Sequence, residues 1–582
     1  MSIFNSHPPK INKNKLIKWL ITNYNFKYKK KISLKKLNSE RDKNYLLSIN
    51  NKSKFVLKIS NKFESKKFLE LQDYVLKSLK KKSSIKKIIP KIIHKKIKIF
   101  VDENNSPCCI RILSYIEGKM YADSKNSIDL ESSLGSYVGI LSKELQNLVH
   151  KAAFRKFEWD PSSIDWIKIH INLFKSNRKK IIQKILNEYI YFVKKNKSNL
   201  RYSLTHGDVN NYNLVVSNNK ITGLLDYGDM LFAPTINDLA ICLAYALMNK
   251  NNLYDSLKTI VLNYHNQFPL TFDEIFSLMT IVKSRLTISV IMAEKQIKKF
   301  PNNKYLVISQ KDAWSLLYKL DKINPYIFVY LIRDFCNYPI IKNYSKLISY
   351  LETNKFNKIF DKEINKINKS IINLETKSLF SRISTNDPNK LSKKIKNYLL
   401  KKNSEIGVGL YGEKRNVYKG INYISLFNYN ERRNIHLGID FFINEGTVIK
   451  SPLDGKVVIL HNNKNKFDYG PTVVLEHNVN SEIKFYTLYG HLSAKCLKKL
   501  SIGKKIKKGD GFAEIGNFPI NGNWSSHLHF QIIVDLMNEK NNFPGVAEKN
   551  LWSMWSKISP NPNLIFKIPE TFFNNNKNID NL

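Results

Sequence analysis

The chain is short of acid. Its 582 residues carry 48 Asp and Glu against 95 Lys and Arg, for a formal net charge of +47 at pH 7. A charge of that size first suggests a nucleic-acid partner. The lysines, however, are scattered among asparagines and isoleucines along the whole length, with no arginine-rich arm, zinc-finger spacing or RNA-binding signature. Codons of an A/T-rich genome suffice to explain such a surface, and no specific nucleic-acid partner is expected. The surface would still draw anionic ligands such as nucleotides. Cysteine is scarce too. Cys108, Cys109, Cys242, Cys336 and Cys496 share no metal-type spacing, and their odd number suits a reducing compartment better than a disulfide framework. No apolar run reaches the length of a membrane span, and the N-terminal segment holds no apolar stretch ahead of its charges. A cytoplasmic protein without a membrane span is expected.

What is present is ample core material, 43% hydrophobic and 12% aromatic residues. The length is enough for about three to four folded units. YLLSI and KFVLKIS, separated by a turn-like stretch around Asn50-Asn51-Lys52-Ser53, read as a β-hairpin. Helical spacing follows from Asn61 to Leu79, then a strand candidate in CIRILSYIEG. From Leu130 to about Leu351 the pattern is mostly helical, interrupted by LTHGDVNNYNLVV and KITGLLDYGD. Residues 356–404 turn rich in Lys, Asn and Ser and read as a tether with some helix. After Gly407 short β-type runs recur between turns: GTVIKSP, GKVVIL, PTVVLEHN, KFYTLYGHL and HLHFQIIV.

Two groups of polar residues carry chemistry, and they share no member. In the first, Asp208 and Asn213 lie five apart, the spacing of the catalytic loop in phosphoryl-transfer enzymes. Asp226 opens Asp226-Tyr227-Gly228, an analogue of a metal-binding Asp-Phe-Gly turn, and Lys58 ends the strand FVLK. Phosphoryl transfer needs such a set: a positioner for the attacking hydroxyl, metal ligands and a cation on the phosphates.

HGDVNNYN with LLDYGD resembles the aminoglycoside phosphotransferase and choline kinase superfamily, and LNSERDKNYLL, FVLKIS and GLLDYGDM look most like its hydroxylysine kinase branch. The resemblance covers about residues 10–355. It implies Asp208 as catalytic base, Asn213 and Asp226 as Mg²⁺ ligands, and Lys58 on the phosphates of ATP or GTP. His206 would orient the loop. Asp229 and Asp238 are the acids expected to line an acceptor site for an amine. No G-x-G-x-x-G loop is present; Asn38-Ser39-Glu40-Arg41-Asp42 would cover the phosphates instead. Glu64 and Glu70 are both candidates for the acidic partner of Lys58.

The second group is His436, Asp440, His491, His527 and His529. A catalytic Zn²⁺ takes three protein ligands and keeps one open position. Residues an even number apart on a strand share a face, so His436/Asp440 and His527/His529 can aim into one groove. His461 and His477 lack such partners and read as ordinary core histidines. The run RNIHLGIDFFINEGTVIKSPLDGKVV, then YTLYGHLS and HLHFQI, resembles the lysostaphin-type zinc endopeptidases over about residues 405–540. The resemblance implies His436, Asp440 and His529 as zinc ligands. It implies His491 and His527 as the groups that position water and stabilise the oxyanion.

The expected architecture is therefore multidomain. An α+β two-lobed protein-kinase-like fold (1–355) and a linker (356–404) precede an all-β lysostaphin-type metallopeptidase domain with a C-terminal extension (405–582). The expected function is bifunctional: nucleotide-dependent phosphorylation of a small amino-alcohol or hydroxy-amino acid, fused to a zinc metalloendopeptidase-like module. Two other readings compete: a zinc-binding or docking module without proteolysis, and a basic nucleic-acid-binding protein. The layout also resembles the front of larger fusions that continue into a class III aminotransferase dependent on pyridoxal phosphate, so a separately encoded aminotransferase is a candidate partner.

Overall fold

In a computed structural model of the protein the described residues are 8–24, 31–37, 39, 42–50, 53–94, 96–299, 304–375, 378, 380, 388–418 and 420–577. Asn38, Glu40 and Arg41 of the expected phosphate-covering loop, and Asn51 and Lys52 of the expected hairpin turn, lie outside them. The chain divides into two compact units, Met1–Pro325 and Tyr326–Leu582.

The first unit opens on an antiparallel sheet with strand order Ile32–Leu37, Lys43–Ile49, Ser53–Ile59, Pro107–Ser114 and Lys98–Val101. Alternation decides its two faces. Leu57, Ile59, Ile110 and Ile112 bury against Leu16 and Leu20 of the helix Lys13–Tyr24. Lys58 and Arg111, directly paired across neighbouring strands, therefore share the opposite face. There the helix Lys66–Lys80 buries Phe68, Leu71 and Val75, and its Asp73 and Gln72 both accept from Arg111.

The rest of the unit is mainly helical around a small sheet of Lys119–Met120, Leu214–Ser217 and Lys220–Leu224. The helix Phe272–Lys299 corrects one expectation: over Phe272–Lys298 it is long and apolar enough, by length and composition, to cross a membrane. Its most apolar window is 83% buried within the protein. Its buried charges Glu274, Lys283 and Arg285 are paired inside the unit, with Arg201, Glu188 and Asp208. Those pairs are what an interior helix needs.

The second unit is built on an eight-stranded sheet in the order Lys369–Ile371, Ile406–Gly409, Ile439–Phe442, Leu528–Ile533, Lys484–Gly490, Gly470–Asn478, Gly455–Asn463 and Lys505–Ile506. Four of the five sequence-read β runs are in that sheet, and Val448–Lys450 pairs separately with Gly511–Glu514. The division at Pro325 falls earlier than the sequence suggested, because Leu347 and Leu351 of the helix Tyr344–Thr353 share the core of this unit. The segment read as a tether is likewise built in. Ile359, Phe360 and Ile364 are buried beside Ile439 and Phe441, and Lys369–Ile371 pairs in parallel with Ile406–Gly409.

Candidate active sites

In the first unit the loop between strands Tyr202–Thr205 and Leu214–Ser217 carries the acidic motif. Gly207 turns it at φ +78°, and a Cβ there would stand 2.4 Å from the Asp229 carbonyl oxygen. His206 is fully buried; its Nδ1 accepts from Asp208 N–H and its Nε2 donates to the Leu225 carbonyl at 3.0 Å. That tautomer ties the His206–Asp208 loop to the strand leading into Asp226.

Asp208 is engaged on both oxygens. Oδ1 lies 2.5 Å from Arg285, and Oδ2 accepts from Asn210 at 2.9 Å and from Asn213 at 2.8 Å. Burial pushes its carboxyl up to about 6, against the downward pull of Arg285. Arg285 is itself fixed by the Trp159 carbonyl and the Tyr245 hydroxyl, with its guanidinium over both rings. Asp226, at φ +53° and half exposed, meets Lys58 Nζ at 3.0 Å. In this structure Lys58 is thus paired with Asp226. Glu70 is exposed, and the buried acid of the helix Lys66–Lys80, Asp73, is taken by Arg111.

Asp238 requires a correction. It was expected to face an amine-bearing ligand, but only 1% of it is exposed. Its two oxygens accept the backbone N–H groups of His206 and Gly207, each at 2.9 Å. It clamps the His206–Asp208 loop from the first turn of the helix Asn237–Ala246.

Arg155 was not anticipated. Its guanidinium lies 4.1 Å from the Phe68 ring and donates to the carbonyls of Gly228 and Met230. It thereby joins the helix of the first sheet to the Asp226 turn.

In the second unit His436, Asp440 and His529 are brought together, all buried, with their ligand atoms within 4.8 Å of one another. Asp440 stands directly opposite His529 in the antiparallel register, and Gly490, one residue before His491, stands opposite His529 on its other side. Gly438 makes the approach possible: a Cβ there would meet the His529 ring at 2.5 Å.

Outer hydrogen bonds fix the tautomers. His436 Nδ1–H donates to the Leu410 carbonyl at 2.9 Å, and His529 Nε2–H donates to Gln531 Oε1 at 3.1 Å. The inner nitrogens, His436 Nε2 and His529 Nδ1, are therefore unprotonated, yet they lie 2.9 Å apart. Asp440 Oδ1 is 3.2 and 3.1 Å from them. Three lone pairs converge with no proton between them, an arrangement that asks for a cation. Two imidazole nitrogens and a carboxylate oxygen fit Zn²⁺.

His491, at φ +63°, donates Nδ1–H to the Asn521 carbonyl at 2.8 Å, and His527 Nδ1–H goes to the Ser525 carbonyl at 2.6 Å. Each keeps its Nε2 as an acceptor, and the ring centroids are 4.3 Å apart. Burial holds both rings below the usual imidazole range and brings His436 down to about 4. Burial alone would raise Asp440, but the positive charge beside it, the Arg415 guanidinium at 2.6 Å, holds it well below the usual carboxylate range. A cavity of about 310 Å³ opens onto Asp440, His491, His527 and His529, walled by Tyr418 and Trp524. His477 has both nitrogens occupied, by the Asp454 carbonyl and Thr487 Oγ1, as a core histidine should.

Sequence reading missed Arg285, Arg155, Arg415 and Gln531. The arginines meet Asp208, the Gly228 carbonyl and Asp440 from far along the chain, and no local pattern marks them. Gln531 did leave a signal, because it shares a strand face with His529 two residues before it.

Residues 33–255 match the model of a family described as phosphotransferase enzyme family, and residues 434–542 match peptidase family M23. The hydroxylysine kinase of Xenopus laevis is 27% identical over 228 residues, 36% of this chain and 61% of that protein. The hydroxylysine kinase of Mus musculus is 26% identical over 226 residues, 36% of this chain and 60% of that protein. The chain thus spans about three fifths of the length of these curated relatives. Among solved structures, a microcompartment-associated aminopropanol kinase is 14% identical, with 56% of this chain and 100% of that chain covered and a TM-score of 0.43.

Proposed function

We propose that this chain, which joins a phosphotransferase-family domain to a peptidase-family M23 domain, is a bifunctional enzyme. Its first unit would phosphorylate the hydroxyl of a small amino-alcohol or hydroxylated amino acid. The observation that carries this reading is the engagement of Asp208 on both oxygens, with Asn213 bound to it and the Asp226–Lys58 pair in the neighbouring turn. A carboxylate fixed in this way accepts the proton of the attacking hydroxyl. Asn213 gives its amide nitrogen to Asp208, which leaves the amide oxygen for a metal, and Asp226 adds a half-exposed carboxylate. Hard oxygen donors of this kind suit Mg²⁺. The ion would neutralise charge on the phosphates of ATP or GTP. Lys58, 10% exposed and 3.0 Å from Asp226, sits where it could turn from that carboxylate to a phosphate oxygen.

An amine on the acceptor is favoured by the hydroxylysine kinase relatives. Of the two acids expected to serve it, Asp238 is committed to the loop, and we assign the role to Asp229. The test is nucleotide turnover by the full-length protein, with ATP and with GTP, against hydroxylysine, ethanolamine, choline, homoserine, an aminoglycoside and neutral sugars. Preferred turnover of the sugars would remove the amine from the proposal.

The second unit would hydrolyse a peptide bond. His436, Asp440 and His529 would hold Zn²⁺, which as a Lewis acid lowers the pKa of bound water. His491 and His527 present free Nε2 acceptors to the same cavity. They would take the proton from the attacking water, stabilise the oxyanion by hydrogen bonding, and pass the proton to the departing amine as the C–N bond breaks. Measuring zinc content beside cleavage of a peptide panel tests both halves of this statement.

We place the protein in the cytoplasm because all five cysteines are free thiols. Cell fractionation tests that. The resemblance of the layout to fusions with a class III aminotransferase makes such an enzyme the partner to seek by co-purification.

A further inference from the structure

We propose that Glu413 is a positioning residue for the metal ligands His436 and Asp440, and that the main chain around Leu374 completes its hold on them. The metal centre then extends well upstream of residues 434–542. The inference rests on the zinc reading of the second unit.

Glu413 reaches both ligands. Its carbonyl accepts the backbone N–H of His436 at 3.0 Å, and Gly412 N–H returns a bond to the His436 carbonyl at 2.9 Å. Its carboxylate acts on Asp440 through Arg415. Arg415 Nε lies 2.6 Å from Glu413 Oε2, and its NH1 lies 2.6 Å from Asp440 Oδ2. The Asp440 oxygen left over, Oδ1, is the one that meets His436 and His529. Glu413 Oε1 is in turn held by the Leu374 N–H at 2.7 Å, and Glu375 pairs with Arg415 in an isolated bridge. Leu374 follows the edge strand Lys369–Ile371, in the stretch that reads from sequence as a tether.

Charge explains why the relay would matter. Glu413, Arg415 and Asp440 are 2%, 3% and 2% exposed. Two carboxylates face one guanidinium, so one negative charge remains for the cation. Without the Glu413 charge, Arg415 would satisfy itself on Asp440 alone. That would leave no net charge for the metal and draw electron density from its ligand. Outer partners of this kind typically set metal affinity by about 10- to 100-fold.

The test is competition for Zn²⁺ against a chromophoric chelator, using the full-length protein as wild type, Glu413→Gln, Arg415→Lys and the surface control Glu405→Gln. The melting temperature of each metal-free protein is measured beside it. The side-chain amide in Glu413→Gln keeps an oxygen for Leu374 N–H, so the fold should persist. A loss of about 10-fold or more is expected in Glu413→Gln and Arg415→Lys, with none in Glu405→Gln. Wild-type affinity in Glu413→Gln overturns the relay and leaves the zinc site standing. A loss accounted for by unfolding of the metal-free variant also overturns it, in favour of a purely structural role. A wild type that takes up no zinc overturns the zinc reading and the relay with it.

Discussion

Arg285 closes on Asp208 at 2.5 Å from a helix 77 residues downstream, and it is 2% exposed where it does so. A charge buried that deeply has Asp208 as its counter-ion, and the two hold each other in place. The carboxylate is thereby fixed by the protein's own side chains.

Arg285→Met should therefore harm both fold and chemistry. Breaking a buried pair by removing one partner costs about 3–5 kcal/mol. Chemical denaturation should show a loss of that order, and turnover of the acceptor should fall toward that of Asp208→Ala. Arg285→Lys should recover part of the stability. A methionine variant as stable and active as wild type would contradict the role.

Asp208→Ala and Asp226→Ala should fail differently. The first should cut turnover by about 10²–10⁴-fold and leave nucleotide affinity mostly intact, because in the proposed role its carboxylate would meet the acceptor hydroxyl rather than the nucleotide. The second should lose metal-dependent nucleotide binding. Steady-state kinetics and calorimetric titration with nucleotide separate the two. Near-wild-type turnover in Asp208→Ala would end the assignment.

Asp208 also gives stability a pH dependence. Its carboxyl moves from 3.8 to about 6 on folding, raised chiefly by burial. Between those values the folded chain keeps a proton that the unfolded chain has lost, so stability falls as pH rises through the window. Below it both states are protonated and above it both are ionised. Metal-free wild type should therefore lose stability relative to Asp208→Asn from about pH 4 to about pH 6 and then level off. Denaturation curves across that range check it, and a constant difference would refute it.

Zinc should be lost in His436→Ala and His529→Ala but largely kept in His491→Ala and His527→Ala. The first two supply lone pairs to the convergent triad, whereas the second two line the cavity with their Nδ1 atoms bonded to carbonyls and lie outside that triad. Peptide cleavage should vanish in all four. Metal analysis after dialysis distinguishes them, and zinc lost from His527→Ala but kept in His529→Ala would exchange their roles.

What could be read from the sequence follows the range of each interaction. HGDVNNYN and HLHFQI sit on single loops or strands, where spacing alone places the side chains, and both groups assemble as their spacing implied. Asp238 was misread because its task is set by two backbone N–H groups some thirty residues earlier, and a carboxylate looks the same in sequence whether it faces ligand or main chain. Arg285 and Arg415 are cations like many others in a lysine-rich chain until folding gives them partners. The helix Tyr344–Thr353 has an apolar stripe that would suit either unit, so the sequence could not say which core it joins. Sparse apolar residues such as Ile359, Phe360 and Ile364 read as a tether because the strands that bury them come later in the chain.

The pairing of Asp440 directly opposite His529 has a consequence for how the second unit reaches its native state. Side chains alternate along a strand, so a slip of one residue would turn one of the two to the far side of the sheet. Misalignment would not yield a poorer metal site but none at all. A cation present during refolding would thus act as a proofreader of strand alignment, retaining the aligned chains and leaving slipped ones free to open and try again.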